Sequence, residues 1–130
     1  MKRIILGLAA IASIVPASAT AQTSLEGRWQ RGSMVIDIAP CGSKLCGTVV
    51  KASAEQRAKA KRGSDTDLIG ARLITDIERT GGNSYRARVF AADRNIHASG
   101  TVRQVSANQL EVKGCVLAVI CKSRTYTRVR

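Results

Sequence analysis

The chain has 130 residues, with 21 Lys and Arg against 9 Asp and Glu, a formal net charge of +12 and four cysteines. That length suits one domain with a modest core, and the basic excess points to acidic partners or to nothing more than solubility. With one Trp, one Phe and two Tyr, the chain lacks the aromatic interleaving of a single-strand nucleic-acid platform, so nucleic acid is set aside as a partner.

The first segment reads as a signal peptide over 1–21. Lys2 and Arg3 supply a charged start, Ile4 to Val15 is an apolar run, and Ala19-Thr20-Ala21 is a small-residue cleavage motif, with Ala17-Ser18-Ala19 as an alternative cut. The apolar run is well short of the ~20 residues a spanning helix needs, so a membrane anchor is the weaker reading. No cysteine follows either cut, so a lipid anchor is not indicated. Removing the segment leaves residues 22–130 as a single exported domain, periplasmic or secreted, expected to be monomeric and not membrane-spanning.

Period-two alternation dominates the rest. Leu25 to Gln30 forms a first strand. Met34, Ile36 and Ile38 alternate with Val35, Asp37 and Ala39 until Pro40 breaks the run, and Leu45 to Ala52 is the return strand. The alternation then stops from Ser53 to Arg62. Ser53 and Gln56 make a capping box and Gly63 falls just past the end, which fits a short helix; a charged surface connection is the blander reading. Its cations Arg57, Lys59, Lys61 and Arg62, with Lys51 before them, form a candidate basic contact surface. Alternation resumes over Arg72 to Arg79, and Gly81-Gly82-Asn83 turns the chain into Ser84 to Phe90. Ile96, Ala98, Gly100 and Val102 are expected to face inward. Gln109 to Val116 and Lys122 to Val129 complete the set. The fold class is all-β: about eight short strands in series, closed as a small antiparallel up-and-down barrel with one short helix or loop near 53–62.

Cys41 and Cys46 bracket Gly42 to Leu45, and Cys115 and Cys121 bracket Val116 to Ile120. Of three possible pairings, the nearest-neighbour one is favoured, as two short-loop disulfides that fix hairpins in an oxidising compartment. Zinc is the rival reading, but the spacings are not C-x2-C and His97 is the only histidine. Redox catalysis would want C-x-x-C, which does not occur.

Catalytic constellations are scarce. His97 lies mid-strand on the polar face. No G-x-S-x-G elbow, H-E-x-x-H or phosphate loop occurs. Asp65 and Asp67 form a pair better read as turn-formers than as a cation site. Asp76 and Glu78 belong to an outer strand face. No cofactor, metal or catalytic residue is assigned, and an enzyme is the less favoured class.

Leu25-Glu26-Gly27-Arg28-Trp29 carries the G-x-W of a calycin-like first strand. Ile38-Ala39-Pro40-Cys41-Gly42-Ser43-Lys44-Leu45-Cys46-Gly47, Leu68-Ile69-Gly70, Val112-Lys113-Gly114-Cys115-Val116-Leu117 and Arg124-Thr125-Tyr126-Thr127-Arg128-Val129 follow in order. This order resembles the exported bacterial family called domain of unknown function 2147, in its cysteine-containing branch, over nearly all of the mature chain. The resemblance implies a small lipocalin-like barrel with no established catalytic set to transfer. The chain departs from the family in Tyr126, where members often have Trp, and in the Ala/Lys-rich segment at 53–62. By analogy with calycin-like barrels, Trp29 should pack against Arg128, or Arg124 in another register, closing one end; Trp29, Arg124, Tyr126 and Arg128 are alternatively ligand contacts.

The leading functional expectation is a non-enzymatic envelope-associated or binding domain. It would bury a small apolar or amphipathic ligand, or dock on an acidic envelope component. A protein-binding inhibitor or chaperone-like domain with an acidic partner is the alternative, and an envelope hydrolase the least favoured. Cavity size discriminates, because Met34, Ile36, Ile38, Leu110 and Val112 could by themselves fill a barrel of this width.

Overall fold

Apolar side chains at every second residue bury one face of each strand, and a sheet with one buried face and free edges is satisfied by closing on itself. The computed structural model, which describes residues 24–117 and 119–129, shows that closure. The expected signal segment lies outside the described residues. Eight strands follow in chain order: β1 (Gly27–Arg31), β2 (Met34–Cys41), β3 (Lys44–Lys51), β4 (Arg72–Gly81), β5 (Ser84–Ala91), β6 (Ile96–Ser106), β7 (Gln109–Val116) and β8 (Ile120–Arg128). One helix, α1 (Ala54–Ser64), intervenes between β3 and β4. Each strand pairs antiparallel with the next, and β8 returns to β1 through Trp29↔Arg128 and Gln30↔Thr127.

The interior is filled at one end. Trp29, Ile36, Ile38, Val102 and Leu110 are fully buried there, and Met34 and Val112 are buried nearer the other end. In β4 the alternation is broken to keep this core continuous. Asp76 and Ile77 together oppose the single residue Ala87, between the pairs Thr75↔Arg88 and Glu78↔Arg86, and Asp76 adopts φ 53. The extra residue lets Ile74 and Ile77, three apart, both face inward.

Two local expectations are corrected. Pro40 does not end its strand: β2 runs to Cys41, with Pro40 opposite Leu45. The pairing of β1 with β2 stops at Ile38, so the N–H that Pro40 lacks has no β1 partner to lose. Gly63 is not past the helix end but inside its last turn. Ser53 caps the start through the capping box with Gln56, and the left-handed C-cap is Asp65, whose N–H reaches the Ala60 and Lys61 carbonyls. Gly63 is needed for packing, because a Cβ there would overlap the Asp93 carbonyl. Beside it, the Ser64 hydroxyl donates to the Ala92 carbonyl at 2.7 Å. The helix is thereby fastened to the β5–β6 turn, although Ala60 is its one buried residue.

Candidate functional site: the open end of the barrel

The antiparallel order gives the barrel two unlike ends. At one end the chain closes on itself. The Trp29 indole N–H donates to the Leu25 carbonyl at 2.9 Å, and the Arg128 guanidinium lies 4.2 Å from the Trp29 ring centroid. Arg128 donates Nε to Ala107, Nη1 to Glu26 and Nη2 to Ser24, all backbone carbonyls, at 2.9, 3.2 and 3.0 Å. The structure thus places Arg128, and not Arg124, against Trp29. The Cys41–Cys46 disulfide sits at this end, next to the β2–β3 turn.

At the other end the barrel is open. Here the interior holds a cavity of ≈ 460 Å³, floored by Met34, Ile74, Val89 and Val112 and walled by Phe90, Ile96 and Val116. Ala60 of α1 and Leu68 of the following loop line one side, so the helix that is fastened to the β5–β6 turn partly roofs the mouth. The Cys115–Cys121 disulfide pins the β7–β8 hairpin, whose Val116 and Ile120 line the opposite side. A Cβ at Gly114 would just touch Val89 and Ala98, with nothing closer than 3.7 Å.

The mouth is basic. Alternation along β8 turns Lys122, Arg124 and Tyr126 to the interior, opposite Gly114, Val112 and Leu110, and Arg31 reaches the same cavity from β1. Lys59 and Arg94 stand on the rim with the acid Asp93, which lies 3.9 Å from Arg94. Tyr126 is 6% exposed. Burial raises its pKa above the usual phenol value, and the charges of Arg31 and Arg124 oppose that rise.

The residues singled out in the sequence are therefore divided. Tyr126 and Arg124 belong to the open end, Trp29 and Arg128 to the closed end. The basic set on and before α1 is dispersed: Lys59 pairs with Glu55 at 3.6 Å, and Lys61 with Asp65 and Asp67 at 3.4 and 3.0 Å. Arg57 and Lys61 line a separate shallow cleft with Ile69, and Lys51, Arg57 and Arg62 are exposed. Asp65 and Asp67 thus take a lysine between them. His97 is exposed and stacks on Phe90, ring centroids 4.4 Å apart. Arg31 and Lys122 were not singled out from the sequence. Their signal is parity, since Lys122, four before an inward Tyr126, and Arg31, two after an inward Trp29, must also point inward.

A closed eight-stranded antiparallel barrel, filled below and open above, is the architecture of the lipocalin-like class. The chain belongs to the family described as "Uncharacterized protein conserved in bacteria (DUF2147)", whose model matches residues 27–128. Among solved structures it is similar to protein HP1028 of Helicobacter pylori, described as belonging to the lipocalin family. The two share 16% identity at a TM-score of 0.63, over 84% of this chain and 85% of that one, a likeness of fold. No curated protein matches the chain in sequence. Among the described residues, no helix is long and apolar enough to cross a membrane.

Proposed function

We propose that this protein is an exported binding domain that takes a small amphipathic ligand into the open end of its barrel. The observation that carries this reading is the cavity of ≈ 460 Å³ with an apolar floor, within the ~300–1,000 Å³ typical of small-molecule sites. The lower interior is packed with side chains, so the ligand occupies the upper half only. Two disulfides, with the charged and apolar start of the sequence, support a periplasmic or secreted location. Docking on an acidic envelope component through α1 is less well supported, because Lys59 and Lys61 already face Glu55, Asp65 and Asp67.

Native mass spectrometry of protein purified from the periplasm tests the reading. A retained small-molecule adduct that is lost on collisional activation is expected. Protein that emerges bare, and takes up no apolar or amphipathic small molecule when one is supplied, would contradict it.

A further inference from the structure

Five alternate residues of β8 face the interior, Ile120 and then the polar set Lys122, Arg124, Tyr126 and Arg128. The two arginines differ in what their donors do. Arg128 spends three nitrogens on backbone carbonyls and lies over Trp29, so its role is complete within the fold. Arg124 donates only to the carbonyl of its neighbour Ser123, at 3.1 Å. Among the described residues, Lys122 donates no side-chain hydrogen bond, Arg31 reaches only the Tyr126 phenol, and none of Arg31, Lys122 and Arg124 has a carboxylate within 4.0 Å.

These cations, none beside a carboxylate among the described residues, line one cavity. Arg31 follows the Gln30↔Thr127 pair, which sets it beside Tyr126, Arg124 is the next inward residue of β8, and both line the cavity. Lys122 is the next inward residue above Arg124. Directly below lie Met34, Ile74 and Val112, which expose carbon to the cavity. Lys122 and Arg124 are exposed at the mouth and Arg31 is half-buried, so an entering head group meets them at the cavity's edge. The acid on the rim, Asp93, is already beside Arg94.

Resting on the cavity being a ligand site, we propose that the open end selects single-chain amphiphiles with an oxyanion head, a carboxylate or a phosphate. The head lies on Arg31, Arg124 and Lys122, and the tail lies against Met34, Ile74 and Val112. Arginine and lysine can only donate, and a guanidinium presents its donors as a fork that fits two oxygens of one head. A neutral head would leave the cations unpaired. A cationic head would be repelled.

The test uses four probes with the same tail: dodecanoate, dodecyl phosphate, dodecanol and dodecyltrimethylammonium. Each displaces a neutral naphthylamine dye, below its micelle concentration. The wild type should bind the two anions at least about tenfold more tightly than dodecanol, the gain expected of charge-assisted hydrogen bonds, and the cation most weakly. In the double variant Arg31→Gln with Arg124→Gln that gap should close, while dodecanol affinity changes less than about twofold. Arg88→Gln, on an exposed outward position of β5, controls for net charge and should leave the gap intact. Whichever anion binds more tightly identifies the head, and either meets the proposal. Equal affinity for dodecanol and the anions, or the same loss in Arg88→Gln as in the double variant, would overturn the head assignment and leave the cavity as a ligand site. Failure of the dye and of all four probes to bind would overturn the cavity reading itself.

Discussion

Arg128 and Trp29, from the last strand and the first, form one closing unit: the guanidinium lies 4.2 Å from the indole centroid while its three donors hold the carbonyls of Ser24, Glu26 and Ala107. The contact ties the segment before β1 and the β6–β7 turn to the end of β8. A barrel has no free edge only while this seam holds, and few strand pairs hold it, since β1 and β8 share two register pairs.

Arg128→Ala should therefore destabilise the protein by about 2–4 kcal/mol, from a lost cation–π contact and three carbonyls left without their donor. Arg128→Lys should recover less than half of that, because one ammonium cannot span three carbonyls. Urea unfolding followed by Trp29 fluorescence measures both. Equal midpoints for wild type and Arg128→Ala would contradict the closing role.

Gly63→Ala is expected to destabilise, against the ordinary helix preference for Ala over Gly of about 1 kcal/mol. The added methyl would overlap the Asp93 carbonyl and push α1 off the β5–β6 turn. The thermal midpoint should fall, and hydrogen exchange should rise in α1 and around Ala92 together. A raised midpoint would show that the helix is not fastened there.

The strands were legible because alternation is the direct signature of a half-buried sheet, and the helix start because Ser53 and Gln56 satisfy each other's backbone within one turn. What escaped depended on contacts distant in sequence. Gly63 looked like a helix terminator, whereas its lack of a side chain answers to Asp93, thirty positions on. The bulge at Asp76 is visible only once β5 supplies the ladder. Arg31 and Lys122 do not stand out in the sequence, because a cation on the inner face at an open mouth has the same sequence context as one on the outside. The burial of Tyr126 sets the direction of Lys122, and the burial of Trp29 that of Arg31.

Alkaline pH should weaken the fold through Tyr126. Its native pKa is raised above the ordinary phenol value, chiefly by burial. Below about pH 10 the phenol is neutral in both states and its contribution is complete. As pH climbs through the raised native value, the unfolded chain has already ionised and stability is lost. Lys61, raised by its hydrogen bonds to Asp67 and Asp65, loses its contribution over the same side of the pH scale. Tyr126→Phe separates the two: its alkaline stability limb should be flatter than that of the wild type. Superimposable limbs would mean that Tyr126 ionises as freely folded as unfolded.

The two disulfides should differ in what they support. Replacing Cys41 and Cys46 by Ser, or Cys115 and Cys121 by Ser, should each cost about 2 kcal/mol, the small value expected of short loops. Only the second pair lies at the mouth, on the hairpin that carries Val116 and Ile120. Dye affinity should therefore fall in the second variant and stay near wild type in the first. An equal fall in both would remove the hairpin from the site.

If a small molecule enters the open end of the barrel, filling that space should exclude it. Gly114 lines the cavity, and a Cβ there would meet only the side chains of Val89 and Ala98, at ordinary contact distances, so Gly114→Leu adds carbon where the ligand would lie without striking the backbone at its Cβ. Titration with a neutral naphthylamine dye should show one saturable site per wild-type chain and, in a Gly114→Leu variant that unfolds at a similar urea midpoint, affinity at least about tenfold lower. Saturable binding that is unchanged by Gly114→Leu, or no saturable binding to the wild type, would contradict entry at that end.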